Sequence, residues 1–426
     1  MTQKFFTAVS HLAYSGCIQI IAIGCLTTYT GYILGQFKVR YPEVHNMSDA
    51  AEILFGAIGR EVVTAAQIIF FIFLMGAHIL TFSIMMNTLT NHGACTIIFC
   101  MVGTILSFVL TLSRRLQEIS YLGIICKVSP KSAIRSYQVK LTSLKITLAS
   151  LSIFTCVILT VIAIGIDAPN PTTLAISYPS LVSGFSATLN IVVSFAGHLA
   201  FFSFQSELAV PKDFTKALIA LQVTDTSLYL VAAVVIYRYA GPGVKSPALL
   251  SASPIVAKVA FGIAVGTIVI AGVIIGHVGA KTIYVRIFRG TNRMNEKSLV
   301  SRGSWILILL MLWTAAFVIA NAIPVFNDVL NLLAAAFGSW FSFGLEGLFW
   351  LHMNRSFDTG RKIALAALNV FLVLISCLIV SHCNLRRSFL VADFGSAEWV
   401  SGRRGRTLQL MRRLRMGLSL VPTIVD

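Results

Sequence analysis

The stretch SATLNIVVSFAGHLAFFSFQSEL, Ser186–Leu208, decides how the chain is read. Its apolar length suits a bilayer crossing, which takes about 20 helical residues. Its middle does not suit a plain span. Asn190, Ser194, Gly197 and His198 bring polar groups and a helix-weakening glycine to mid-membrane depth. A backbone that opens there is tolerated only where protein or a wet cavity covers it. Broken helices of this kind offer free N–H and C=O groups to substrates and ions in many secondary transporters. The expectation is that residues 194–198 form the site and the rest of the chain its scaffold.

Composition agrees with a membrane bundle. Of 426 residues, 57% are hydrophobic and only 12% charged, whereas a soluble domain is nearer a quarter charged. The fold class expected is all-α, a polytopic transmembrane bundle. The net charge of +17 comes mostly from loops between apolar runs, where it sets topology. No basic stretch is interleaved with aromatics as a nucleic-acid groove requires, so no nucleic-acid partner is expected. The eight cysteines show no CxxC pair and no Cys/His spacing, so they read as small buried hydrophobes, with no metal and no cofactor. No nucleophile–base pair or phosphate loop points to an enzyme.

Apolar runs fall near 16–36, 62–90, 93–113, 141–166, 183–205, 216–239, 256–280, 303–323, 328–351 and 362–382. They predict about ten spans and three parts: a short N-terminal segment 1–15, a transporter domain 16–382 and a basic tail 383–426. The basic segments 114–145 and 281–302 are expected in the cytoplasm and the Lys/Arg-free loops 167–182 and 324–327 outside. Parity then puts the arginine-rich tail on the outer side, against that rule. Between the first two spans, Ser48–Gly56 predicts a short amphipathic helix along the inner interface, with Ser48 as its cap.

Ionisable groups within spans are costly and mark candidate sites. His198, next to Gly197, either couples proton movement to substrate or holds the opened helix together through a backbone carbonyl. His78 and His277 favour interhelical hydrogen bonds, with His78 kept as a candidate for proton coupling. Asp225 is a further proton-coupling candidate, with a solvated inner vestibule as its plainer role. Glu346 is a lone acid in a glycine-rich aromatic span, and no partner for it is evident. Glu207 with Lys212 or Lys216 reads as a gate, although a cap at Asp213 explains the same segment. The small residues Gly262 to Gly276 predict close helix packing, and Thr267 among them offers a hydroxyl to substrate or ion.

Four runs resemble one family: LTTYTGYILGQFK (Leu26–Lys38), SFAGHLAFF (Ser194–Phe202), PKDFTKAL (Pro211–Leu218) and ANAIPVFND (Ala320–Asp328). They are similar to the amino acid/auxin permease family, and to its fungal neutral and aromatic amino-acid permease branch, from about Gly24 to about Cys377. The resemblance implies an eleven-span carrier of the broken-helix leucine-transporter type, with an inverted repeat. It implies uptake of neutral or aromatic amino acids, with protons, or else sodium, as the coupling ion. The lipid bilayer is its medium, and the plasma membrane is its expected place, ahead of the vacuolar one.

The family's sixth span matches the opening stretch. That match implies substrate contact at Ser194, Phe195, Ala196, Gly197 and His198, and Phe201 is expected to line the substrate side chain. Three features depart from the family: no counterpart of its first, glycine-broken span lies within 1–15, residues 126–145 read as a basic insertion, and the tail matches nothing. If the missing span removes half of the site, the alternative is a non-transporting amino-acid sensor derived from a permease.

Overall fold

In hydrocarbon every backbone polar group must find its partner within the protein, so long apolar runs become helices. The computed structural model describes residues 14–113, 155, 157–166, 181–208, 210–241, 248–291, 298–322, 334–356 and 359–393. Every described element is helical. The predicted basic insertion 126–145, most of the N-terminal segment 1–15 and the tail from 394 lie outside the described residues.

Helices α1 (Tyr14–Arg40) and α2 (Met47–Thr90) form a long hairpin. Then follow α3 (Thr96–Thr111), α4 (Val157–Ile166) and the broken pair α5 (Leu181–Ser194) and α6 (His198–Glu207). The chain continues through α7 (Phe214–Ala240), α8 (Pro254–Phe288) and α9 (Leu299–Ala322). Two π-helical turns, Ala334–Gly338 and Trp340–Gly344, lead into α10 (Leu345–Met353), and α11 covers Gly360–Asp393. Seven helical stretches among the described residues are long and apolar enough to span a membrane, the one at Ala187–Ser206 crossing the α5–α6 break, and α3 and α4 are shorter apolar helices. The chain divides into two units, Met1–Ser376 and Cys377–Asp426, and the packing below belongs to the first.

Two helix groups build the first unit. In one, α2 packs against α8, α9 and α3. Its centre is the fully buried Trp313 of α9, with Met75 of α2 and Ala280 of α8 around it. Gly276 of α8 lets α9 close in: a Cβ there would stand 2.9 Å from the Trp313 ring. Small residues at membrane helix contacts work in this way, since lipid gives no hydrophobic drive for association. In the other group, α1 packs against α7 and α6, and α10 rests on α1. Phe37 and Phe349, with ring centroids 4.7 Å apart, mark the α1–α10 contact.

The amphipathic segment after α1 is the first two turns of α2, set off by Gly56 with φ 67° and ψ −161°. That conformation favours glycine, which has no Cβ to clash. The capping residue is Asn46 rather than Ser48: the Asn46 side chain accepts from the Asp49 N–H at 2.8 Å, and the Ser48 hydroxyl donates to it. Asp49 in turn pairs with Arg289 at the end of α8, Nη1 to Oδ1 2.7 Å, and accepts from the His45 N–H at 3.0 Å. Glu61 pairs with Arg286, which ties α2 to the last turns of α8 a second time.

Candidate functional site

The break between α5 and α6 follows from local sequence. Ser194 turns its hydroxyl back onto the Asn190 carbonyl at 2.8 Å, a competing bond that disturbs a helix. Gly197, one residue before α6 begins, adds the weakness of a residue without a side chain. The helical ladder gives way to short bonds, from Phe195 N–H to Val192, Ala196 N–H to Val193 and Gly197 N–H to Phe195. α5 therefore ends and α6 begins with three residues between them, Phe195, Ala196 and Gly197. Terminal carbonyls and amides have no partner within their own helix. Their dipoles favour a cation at the carbonyl end and an anion at the amide end.

Gly197 is exposed, whereas Phe195 and His198 on either side are buried. Tyr229 of α7 closes one flank: its hydroxyl donates to the Ser194 carbonyl at 3.3 Å, and its ring meets Phe195 edge-on at 5.3 Å. Phe201, one turn into α6, stacks at a tilt on the His198 ring, centroids 4.9 Å apart, and packs on Phe214.

His198 is fixed by α1. Its Nε2 lies 3.1 Å from the Thr27 carbonyl and 3.0 Å from the Thr30 hydroxyl. A carbonyl only accepts, so Nε2 carries the hydrogen and donates. The Thr30 hydroxyl can receive the same N–H because its own proton is directed at the Leu26 or Thr27 carbonyl. In the neutral ring Nδ1 is then a bare acceptor. It is buried and has no partner among the described residues. An unpaired acceptor on the first residue of α6, three residues after α5 ends, suits an ammonium group.

The structure thus brings Ser194, Phe195, Ala196, Gly197, His198 and Phe201 together at the break. Asp225, half-buried on α7, precedes Tyr229 by one helical turn. His78 and Thr267 sit elsewhere. His78 packs against Gly272 of α8, where an added Cβ would stand 3.1 Å from the His78 Cβ. This places it at the α2–α8 contact, where an interhelical role was expected of it. His277 is buried with its ring edge-on to Trp305 at 5.3 Å, inside the α8–α9 packing. Lys216 pairs with Asp213 at 2.9 Å, and the Asp213 side chain makes no cap hydrogen bond, while the Glu207 side chain expected in the gate lies outside the described residues.

Sequence reasoning did not single out Thr27, Thr30 and Tyr229. The first two lie within the Leu26–Lys38 run quoted above, where two hydroxyls three residues apart share one helical face. Tyr229 carries no local signal, because only the fold brings it to Ser194.

A model of the family described as "Transmembrane amino acid transporter protein" matches residues 11–383. An "N amino acid transport system protein" of Neurospora crassa is 32% identical over 368 residues, covering 83% of this chain and 73% of that protein. A "Transmembrane transporter" of Gibberella moniliformis is 31% identical over 355 residues, 81% of this chain and 70% of that one. Among solved structures, MhsT in complex with L-phenylalanine is similar at a TM-score of 0.52 and 12% identity, covering 88% of this chain and 93% of MhsT. A manganese transporter of Eremococcus coleocola has the same TM-score, 14% identity, and coverage of 98% and 88%. At such identities the likeness speaks for the fold alone, which is the broken-helix leucine-transporter type expected from the sequence.

Proposed function

The chain belongs to the transmembrane amino acid transporter protein family, and we propose that it is a secondary active transporter of neutral or aromatic amino acids driven by protons. The observation that carries this reading is the opened backbone at Phe195–Gly197, with a buried acceptor, His198 Nδ1, beside it. The substrate carboxylate would take the amide end of α6, and its ammonium the carbonyl end of α5 with His198 Nδ1. Its side chain would lie against Phe195 or Phe201, which suits an apolar or aromatic residue better than a charged one. Alternating access would rock the α1–α6–α7 group against the α2–α8–α9 group around this point.

Protons are preferred to sodium because His198, Asp225 and Glu346 provide titratable groups within the spans. The plasma membrane is proposed as its site of action, as uptake requires. Uptake of labelled phenylalanine and alanine into proteoliposomes carrying the full chain tests the reading. Accumulation against a gradient, greater with an acidic exterior, is the expected result. Binding without accumulation would mark a sensor instead and overturn the proposal.

A further inference from the structure

Glu346 lies on α10 and does not touch the break. Its side chain has no exposed surface. Neither carboxyl oxygen has a hydrogen-bond partner among the described residues. A bare carboxylate is severely penalised in such a place, whereas the neutral acid is tolerated and keeps an O–H to donate.

Its surroundings contain further unused polar atoms. The Ser342 hydroxyl, one turn earlier, is buried and unpartnered. Gly347, the next residue, is pressed against α11: a Cβ there would stand 2.9 Å from the Asn369 carbonyl oxygen. Asn369 donates its amide to the Tyr29 hydroxyl at 2.6 Å and to the Leu365 carbonyl, which leaves its own Oδ1 free of partners. Gln67 of α2 is buried, and neither of its amide atoms is paired among the described residues. It neighbours Ala66 and Phe70, which share a core cluster with Leu345 and Phe349. Polar groups placed so deep are normally satisfied. Here two of them, Ser342 and Asn369, belong to the segments that precede Glu346 and pack against its neighbour Gly347.

We propose that Glu346 is a proton-binding site, with Ser342, four residues before it, and Asn369, packed against Gly347, as the polar groups that receive its hydrogen bonds as the bundle rearranges. It rests on the proton-symport reading and deepens it by placing the carried proton on α10 rather than on His198. The backbone supports movement here, because α10 is entered through two π-helical turns. Such turns leave the helical ladder loosely satisfied and recur at functional sites.

Of the other ionisable groups, His352 of α10 lies six residues on against Tyr41, and His198 of α6 is bonded through Nε2 to Thr27 and Thr30 of α1. Tyr29 of α1 is bonded to Asn369. Lys38 is held by the Pro42 and Val44 carbonyls and Arg40 by the Met353 carbonyl, at the far end of α1. On α2, Asp49, Glu52, Arg60 and Glu61 are engaged in ion pairs near its start, and His78 packs against α8. The π-helical turns carry no ionisable side chain, and on α11 Arg361 and Lys362 stand about two turns before Asn369.

The test compares the wild-type chain with Glu346→Gln in proteoliposomes containing a pH-sensitive dye. Two measurements are made with labelled phenylalanine, exchange without a gradient and accumulation under an imposed pH gradient. The proposal expects Glu346→Gln to keep exchange while gradient-driven accumulation and dye-reported proton entry fall by about tenfold or more. Accumulation equal to wild type would overturn the proposal while leaving proton symport intact. Wild-type uptake without proton entry, or driven by a sodium gradient alone, would overturn both. If the variant does not reach the liposomes, dicyclohexylcarbodiimide, which attacks protonated carboxyls in apolar surroundings, replaces it as the probe. A mass-spectrometric adduct on wild-type Glu346 that fades as pH rises supports the site, and no adduct at any pH overturns it.

Discussion

His198 Nε2 stands 3.0 Å from the Thr30 hydroxyl, so the residue that opens α6 is tied to the middle of α1. The second bond, to the Thr27 carbonyl, fixes the ring's tautomer and turns Nδ1 away from α1 as an acceptor. Interhelical bonds of this kind contribute about 0.6 kcal/mol on average and about 1.7 at most in membrane proteins. His198→Ala should therefore lower thermal stability in detergent only modestly while reducing phenylalanine uptake strongly, since both the tie and the acceptor are lost. The residual uptake should keep its pH dependence if Glu346 carries the proton. A flat pH profile with normal stability would return that role to His198.

Gly197 tests the break itself. It is exposed, and a Cβ added there would sit 3.3 Å from Phe201 Cε1, tight but short of a severe clash. Gly197→Leu is expected to reach the membrane in wild-type amounts, because no packed core is disturbed. Its uptake should be abolished, because the side chain fills the opening next to Phe201. Unchanged uptake kinetics in that variant would remove the break from the transport path.

The bundle and its break were both legible in the sequence, for different physical reasons. Span positions follow from apolar length alone, and α7 (Phe214–Ala240) and α9 (Leu299–Ala322) fall close to the predicted runs. The opening at Gly197 was readable because Ser194, Gly197 and His198 together are unaffordable in an ordinary span. The extension of α2 back to Met47 was not, because Gly56 looked like an end and serves as a kink with positive φ. The partners of His198 and Ser194 were hidden as well: Thr27, Thr30 and Tyr229 are 35 to 171 residues from the groups they touch. Glu346 was legible as a lone acid in its span, but that both its oxygens stay unpartnered among the described residues is settled by packing.

The α8–α9 contact gives a paired prediction. At Gly276 a Cβ would meet the Trp313 ring at 2.9 Å, while at Gly266 on the same helix nothing lies within 4 Å. Overpacking a tight contact costs about 1–3 kcal/mol. Gly276→Ala should lower the melting temperature in detergent, and Gly266→Ala should leave it unchanged or raise it slightly, as alanine is the better helix former. Equal shifts would mean that Trp313 can move aside.

The Asp49–Arg289 pair predicts how the α1–α2 elbow is held to the end of α8. The Asp49 side chain is only 9% exposed and the Arg289 side chain 45%, with Nη1 2.7 Å from Oδ1. Asp49 also accepts from the His45 N–H, so its removal strands a backbone donor as well as the guanidinium. Arg289→Ala strands only the carboxylate, which still has that N–H. Asp49→Ala should therefore be the more destabilising of the two. A double-mutant cycle on thermal stability should return a coupling on the order of 1 kcal/mol, as a half-screened pair allows. High salt should shrink the coupling, because Arg289 faces solvent. Zero coupling at low salt would mean that the elbow is held instead by Glu61–Arg286, the second link between the same two helices.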